Sequence, residues 1–483
     1  MNNIFDKLKN YSDSDYYAFH MPGHKRNLDL MDGTSPYRID ITEIDGFDDL
    51  HHAEGILRDA QERAARVYHA DETHFLVNGS TVGILSAILG TTEKGDSILV
   101  ARNCHKSVYH AIYLNELDPV YLYPKFDTEQ GLSTEIDAAD VQKALEEHPK
   151  IRAVMIVSPT YDGVVSDIEK IAEIVHAKGC PLIVDEAHGA HFGFDPYFPK
   201  SANIYGADLV INSLHKTLPA LTQTALLHVN GDMVKRRKVK QYLDMLQTSS
   251  PSYILMASID ACIGMLEETL ETHSDARSDY KYKNKNIFSE YANRIEALRK
   301  DLKRLKYLKI IQTDNTDRYD RSKFVISVKH APMSSHELYE ILLHRYHLQM
   351  EMLAGTYVLA MTTVGDTQEG LDRLRDALLE IDKEIDTRQG RPAAIETDLP
   401  LSGRQPALEK VWTIAEAVNR RDKIQKRSFE DSIGCISVEY AYLYPPGSPL
   451  IVPGERITKE AVEILHWYQE HDFRLRDFNR KMA

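Results

Sequence analysis

An aspartate and a lysine follow two consecutive apolar stretches, so a carboxylate and an amine are expected on neighbouring loops. Lys216 lies in "NSLHKTLPALTQTA", which has no amphipathic periodicity, and Asp185 lies in "VDEAH". A lysine amine becomes a nucleophile towards an aldehyde when its pKa is lowered or its charge is offset. A carboxylate nearby suits the pyridine nitrogen of pyridoxal phosphate, whose ring must stay protonated to accept electrons. The pair therefore predicts a pyridoxal phosphate site with Lys216 as the Schiff-base residue.

The other groups that this cofactor needs are also present at predicted strand ends. "NGST" (78–81) stands between a strand and an apolar helix, where Ser80, Thr81 and backbone N–H groups could hold phosphate. Ser213 and His215 beside the lysine could add phosphate contacts, and His105 in "NCHKS" could stack on the ring. Two simpler interpretations remain open, because His105 and Asp185 could each cap a helix.

Alternating strand and helix patterns would bring these residues together. Continuous apolar strands separated by helices indicate a mostly parallel sheet that is covered on both faces. Ligands of such sheets bind beyond the carboxyl ends of the strands. Every predicted strand ends there in polar or reactive residues: 78–81, 103–107, 158–162, 185–188 and 213–216.

The pattern also predicts how the chain is divided. A turn-rich arm precedes a large strand–helix domain, a smaller α+β domain follows, and a polar linker leads to a third, α+β unit. The predicted boundaries are 1–50, 51–270, 271–386, 387–410 and 411–483.

Composition limits the possible classes of protein. The 483 residues suffice for two or three domains, and the formal net charge of −15 argues against a nucleic-acid partner or an anionic membrane surface. The four cysteines form no CxxC pair, so no metal site or disulfide framework is expected. The sequence carries no signal-peptide pattern and no apolar run of spanning length, so we expect a cytoplasmic protein.

Several motifs resemble those of the Orn/Lys/Arg decarboxylase family. They extend from residue 20 to about 458 and are "HMPGHK", "DDLHHAEG", "FLVNGST", "RNCHKS", "SPTYDG", "VDEAHGAHFGF", "SLHKTLPALTQ" and "YPPGSPLIVPGERIT". The chain is similar to the compact members without an N-terminal wing domain, most of all to the Bacillus-type arginine decarboxylases.

The resemblance implies an α/β fold of the aspartate aminotransferase-like, fold-type-I class of pyridoxal phosphate enzymes. The large domain would hold a mostly parallel, seven-stranded sheet. Thr160 and Ala187 would touch the ring or its 3-hydroxyl, with His188 in the same cofactor-binding group. The segment 247–253 resembles one that reaches a neighbouring subunit's phosphate, which implies a homodimer with the active site at its interface, while higher oligomers stay open.

The implied reaction is decarboxylation of a basic L-amino acid, with arginine to agmatine favoured over lysine to cadaverine or ornithine to putrescine. Asp185 would keep the ring protonated, and Lys216 or His215 would reprotonate the α-carbon. A distal cation needs an acidic partner, for which Glu439 and Glu455 are the candidates and Glu43 is a weaker one. Glu439 and Glu455 could equally be structural salt-bridge partners.

Some residues depart from the family pattern and leave the substrate open. Arg26–Asn27 replace a usual glycine, and Cys435, Leu443 and Ser448 stand where arginine, proline and isoleucine or valine are common. Two rival functions also stay open: another pyridoxal phosphate reaction on the same scaffold, such as an aminotransferase or carbon–sulfur lyase, and a catalytically silent regulatory homologue.

Overall fold

The computed structural model describes residues 15, 17–19, 41–44, 47–271, 286–311, 316–387, 405–420, 424–443, 447–471, 473 and 475–476. The "HMPGHK" motif, most of the predicted arm and most of the predicted linker lie outside the described residues. The helices are α1 Ile56–Val67, α2 Gly79–Thr91, α3 Lys106–Leu114, α4 Ala138–Glu147, α5 Ile168–Ala177, α6 Leu214–Thr217, α7 Arg236–Leu246, α8 Tyr253–Glu271, α9 Ile287–Leu302, α10 Ser335–His344, α11 Gln368–Thr387, α12 Ile414–Val418 and α13 Lys459–Glu470. The strands are β1 Tyr17–Phe19, β2 Glu72–Leu76, β3 Ser97–Ala101, β4 Asp118–Leu122, β5 Phe126–Asp127, β6 Leu132–Ser133, β7 Ile151–Val157, β8 Leu182–Asp185, β9 Leu209–Asn212, β10 Ala225–Val229, β11 Lys309–Ile310, β12 Lys323–Ser327, β13 Leu348–Met350, β14 Met352–Leu353, β15 Tyr357–Met361, β16 Ala441–Leu443, β17 Pro449–Ile451 and β18 Leu475–Arg476.

A seven-stranded sheet forms the centre of the large unit, in the order β2-β10-β9-β8-β7-β3-β4. The strands from β9 to β4 in this order are parallel, whereas β10 runs antiparallel to both β9 and β2. Every residue of β8, β9 and β10 is buried, because helices cover both faces of the sheet. The predicted mostly parallel sheet is confirmed.

The apolar helix α2 lies against the sheet and contacts α7. Gly90 allows the two helices to approach closely, since a Cβ at this position would lie 2.7 Å from Val239 Cγ2. The sequence "VGILSAILG" is apolar on all sides because α2 is enclosed by the sheet on one face and by α7 on another.

The smaller unit contains a four-stranded antiparallel sheet in the order β11-β12-β15-β14. The helices α9 and α11 pack against each other beside it, and α10 contacts β13, β14 and β15. Ser334 is the N-cap of α10, and its hydroxyl accepts from Glu337 N at 3.1 Å. The short strand β1 pairs in parallel with β13, so residues 17–19 attach to this unit.

The C-terminal unit is built around the antiparallel sheet β17-β16-β18 and the helix α13. A small apolar cluster stabilises it, with Ala441, Ile451, Ile457 and Leu465 buried. Among the described helices, none is both long and apolar enough to cross a bilayer. The domain boundaries drawn from the sequence remain predictions.

Candidate active site

The loops that follow β3, β7, β8 and β9 meet at one edge of the sheet. These strands are parallel neighbours, so their carboxyl ends point the same way. The polar stretches that were picked out in the sequence directly follow these strands, at 103–107, 158–162, 185–188 and 213–216. The sheet therefore brings to one edge most of the side chains that were predicted to act together.

Lys216 lies in the single turn α6, directly after β9. Its Nζ is 3.0 Å from His188 Nε2, which belongs to the loop after β8. Burial lowers the pKa of Lys216, against the opposing charges of Asp185 and Glu351. Burial and then the charge of Lys216 lower the pKa of His188. Both groups are thus biased towards their neutral forms, which favours an amine able to attack an aldehyde.

Asp185 is the last residue of β8 and is buried. Its Oδ1 accepts a hydrogen bond from Ala187 N at 3.1 Å, so the carboxylate stabilises the loop but caps no helix. Burial raises its pKa, while the charge of Lys216 opposes this shift. A buried carboxyl with one backbone donor is suited to pair with a cationic ring nitrogen.

His105 is the N-cap residue of α3, as the simpler interpretation proposed, and Ser107 N donates to its ring at 3.3 Å. Burial and then the charge of Lys216 lower the pKa of His105 to about 3. Burial, followed by the charge of Asp185, raises the pKa of the adjacent Cys104 thiol. The His105 loop therefore lies within electrostatic range of Lys216 and Asp185, with a neutral, flat imidazole.

Several polar groups near this edge fit a phosphate. Gly79 opens α2 with φ +73, a conformation that strains other residues, and the Asn78 side chain makes no capping bond there. The first-turn N–H groups of α2 are therefore available beside the accessible residues Ser80 and Thr81. Ser213 Oγ is buried and has no hydrogen-bond partner among the described residues. A phosphate would satisfy these donors, so the residues fit pyridoxal phosphate.

Three further predicted cofactor residues lie at the same edge. Ala187 and Thr160 are buried, and the Thr160 hydroxyl accepts from Val164 N at 3.0 Å. His215 Nδ1 lies 3.0 Å from the carbonyl of Thr224, which orients the imidazole. Their contacts with a bound cofactor remain predictions.

The three acidic candidates for the substrate's cation differ in their surroundings. Glu455 is fully buried and forms a bidentate pair with Arg102, at 3.2 Å from Nε and 2.9 Å from Nη2. This geometry corrects its assignment to the substrate in favour of the structural alternative, because Arg102 already occupies both carboxylate oxygens. Glu439 is half-buried, and its Oε2 has no hydrogen-bond partner in the described part of the chain. Glu43 is exposed.

Two tyrosine–carboxylate pairs could not be predicted from the sequence, and one of them lies beside His188, the neighbour of Lys216. The Tyr161 hydroxyl donates to Glu351, and its ring centroid is 4.5 Å from that of His188. In the second pair the carboxylate belongs to the loop and the tyrosine to the smaller unit: the Tyr357 hydroxyl donates to Asp162 at 2.6 Å. These bonds join the loop after β7 to the smaller unit. Tyr161 and Asp162 lie in the motif "SPTYDG", whereas the sequence around Glu351 contains no motif that would predict a role in the site.

Comparisons with known proteins agree on one family. The family model "Orn/Lys/Arg decarboxylase, major domain" matches residues 2–341, and "Orn/Lys/Arg decarboxylase, C-terminal domain" matches residues 404–482. The chain is 31% identical to an arginine decarboxylase of Bacillus subtilis (strain 168) over 96% of this chain and 92% of the relative. It is 36% identical to the uncharacterized protein YaaO of the same organism, over 96% and 93% of the two chains.

A solved structure supports the fold. The Francisella novicida lysine decarboxylase LdcF aligns with a TM-score of 0.77 and 19% identity, over 99% of this chain and 80% of that chain. With a part-buried lysine, an aspartate at the end of the neighbouring strand and two matching family models, the chain belongs to the Orn/Lys/Arg decarboxylase family of pyridoxal phosphate-dependent amino-acid decarboxylases.

Proposed function

We propose that this chain decarboxylates a basic L-amino acid, with arginine to agmatine as the favoured reaction and lysine or ornithine as the next substrates. The observation that carries the proposal is the part-buried Lys216 amine, with His188 at 3.0 Å and Asp185 at the end of the neighbouring strand. Arginine is favoured because several relatives at 31–33% identity are named arginine decarboxylases.

Pyridoxal phosphate, when bound, supplies a protonated ring that accepts the electron pair released with carbon dioxide. The residues that would hold it are Lys216 at the aldehyde, Asp185 at the ring nitrogen and His105 on the ring face, with Thr160, Ala187 and His188 around the ring and Ser80, Thr81, Ser213 and His215 at the phosphate.

Side chains of this chain could deliver the proton to the α-carbon and stabilise the protonated ring nitrogen. The lowered pKa of Lys216 favours its neutral amine, which is the form that attacks an aldehyde. Once released from the aldehyde, the amine would take up a proton and could then deliver it to the α-carbon. The alternative donor to the α-carbon is His215, whose Nδ1 faces the carbonyl of Thr224 and whose ring is thereby oriented. Asp185 would stabilise a cationic nitrogen, since its carboxylate is buried and has few other partners.

Glu439 is the remaining proposed partner for the distal cation of the substrate. Its buried Oε2 has no partner within the described residues, which supports a group that would complete it. A charged hydrogen bond of this kind contributes about 1.5–3 kcal/mol, enough to favour a basic over a neutral side chain.

A homodimer with the active site at its interface is part of the same proposal. The side chains of Thr248, Ser249 and Ser250 are exposed, so the segment 247–253 could reach a second subunit. His51 of "DDLHH" supports this segment, since its Nε2 lies 2.9 Å from the carbonyl of Thr248. A cytoplasmic location remains a prediction.

Release of carbon dioxide from arginine, lysine and ornithine, measured separately, tests the proposed function. We expect a yellow protein that releases carbon dioxide and forms the corresponding amine, fastest with arginine. Keto-acid formation without carbon dioxide would favour an aminotransferase. A colourless protein without activity would favour the silent homologue and contradict the proposal.

A further inference from the structure

The loop that carries His105 is held by the C-terminal unit at several points. Lys106 N donates to the carbonyl of Gly447 at 3.2 Å, and Ser448 Oγ donates to the carbonyl of Asn103 at 2.8 Å. Gly447 and Ser448 directly precede β17 in the C-terminal unit. The two bonds flank His105, so the position of its ring depends on where the C-terminal unit lies.

Arg102 begins the same loop and attaches it to that unit most firmly. Its guanidinium is buried, with 1% of the side chain exposed, and it makes the bidentate pair with Glu455. It also donates to the carbonyls of Pro449 and Leu450 and to the hydroxyl of Tyr109. A planar guanidinium bound on all sides has one orientation, so it fixes the first residue of the loop.

Glu455 is itself held in a rigid turn. Its Oε2 accepts from Val452 N at 2.9 Å, in addition to the bonds from Arg102. The preceding Gly454 has φ +94, and a Cβ there would lie 2.3 Å from the carbonyl oxygen of Trp412, so only glycine fits. A carboxylate that is fixed by its own backbone can transmit the position of the C-terminal unit to Arg102.

We propose that Arg102 and Glu455 are positioning residues that hold the Arg102–Lys106 loop, and with it the His105 ring, in register with the cofactor site. Ser448 contributes to the same task, although isoleucine or valine is common at this position in the family. The proposal rests on the proposed function, in which His105 stacks on the pyridoxal ring. It assigns to the C-terminal unit a part in the reaction that does not require contact with substrate.

The test compares Glu455→Gln with Glu409→Gln in the full-length holoenzyme. Glu455→Gln keeps the shape of the side chain but removes the charge that orients Arg102. Glu409→Gln is the matched control, because Glu409 accepts from the exposed Arg456, the residue after Glu455, at 2.7 Å and makes no hydrogen bond to the Arg102–Lys106 loop in the described part of the chain. The readouts are the visible circular dichroism of bound pyridoxal phosphate, its affinity, and kcat and KM for the best substrate.

We expect Glu455→Gln to change the visible dichroism and to lower kcat about tenfold, since misplacement of a catalytic group by about 1 Å can cost up to about a hundredfold. KM should change by less than about twofold if only ring placement is affected. Glu409→Gln should match the wild type. Ser448→Ala removes one hydrogen bond from the loop and should produce the same spectral change at smaller amplitude. This variant replaces Glu455→Gln as the test if Glu455→Gln does not fold.

A double variant shows whether the effect passes through His105. In a His105→Ala background, the further substitution Glu455→Gln should leave dichroism and kcat at the level of His105→Ala alone. Additive effects, or a loss of thermal stability with an unchanged spectrum and unchanged kcat, would overturn the positioning proposal. A wild-type protein that binds no pyridoxal phosphate would instead overturn the proposed function, and the positioning proposal with it.

Discussion

The candidate cofactor site around Lys216, Asp185 and Ser213 (the Lys216 site) and the Arg102–Glu455 pair both bury ionisable groups, but only the pair compensates them. Arg102 has donors directed at Glu455, Tyr109 and two carbonyls, and both oxygens of Glu455 are occupied. In the Lys216 site, burial shifts the pKa of Lys216 down and that of Asp185 up, and Ser213 Oγ has no partner among the described residues. Buried ionisable groups without enough partners indicate a ligand site, whereas a pair whose donors and acceptors are all hydrogen-bonded (a saturated pair) indicates a structural role.

Removing one member of the saturated pair should have the largest effect on stability. Arg102→Met leaves Glu455 buried without its cation, and we expect a loss of about 3–5 kcal/mol. The double variant Arg102→Met with Glu455→Met removes both charges and should recover much of that loss. Thermal unfolding of the three proteins measures this, and equal destabilisation in the single and double variants would contradict a saturated pair.

A substitution in the Lys216 site should lower turnover but not the stability of the apo protein. Asp185→Asn keeps an oxygen that can accept from Ala187 N and removes a carboxyl whose burial raises its pKa, so the unfolding temperature of the apo protein should stay the same or rise. Turnover should fall about a hundredfold, or about 3 kcal/mol of activation free energy, because the ring nitrogen loses its anionic partner. Apo-protein melting curves and steady-state kinetics check both parts. A destabilised apo protein with normal turnover would reverse the roles of the two regions.

A smaller effect on stability is expected at Asp162, in the loop after β7, where burial raises the pKa of the carboxyl from 3.8 to about 6. A raised folded-state pKa means that the folded protein holds the proton more tightly than the unfolded chain. The resulting stability is present below about pH 4 and is lost as the pH rises through about 6, by up to about 3 kcal/mol.

Asp162→Asn should abolish this pH dependence, while the amide oxygen of the new side chain can still accept from Tyr357. The measurement is the unfolding temperature of both proteins between about pH 4 and 7, which shows the pH dependence without assuming two-state unfolding. Parallel pH profiles for wild type and variant would show that Asp162 does not titrate as described.

The sheet and the Lys216 side of the site were predictable because their signals are local. Apolar strands that end in polar residues identified the loops of Asp185 and Lys216, and the parallel sheet then placed these loops together. The antiparallel strand β10 was missed, because "ALLHV" reads like any buried strand and its direction depends on pairing partners.

The remaining residues depend on contacts between distant parts of the chain. Arg102 and Glu455 are 353 positions apart, so Glu455 looked equally suitable for a substrate and for a salt bridge. Glu351 likewise reaches Tyr161 across 190 positions from the smaller unit. Side chains of this kind have no local pattern, because long-range packing alone decides their partners.

Covalent trapping of the cofactor shows whether Lys216 is the Schiff-base residue. The purified protein is treated with borohydride, digested, and its peptides are mapped by mass spectrometry. We predict that the yellow colour bleaches and that one pyridoxyl group is found on Lys216, with no label in Lys216→Ala protein. A label on another lysine, or a yellow Lys216→Ala protein that borohydride still traps, would contradict the account.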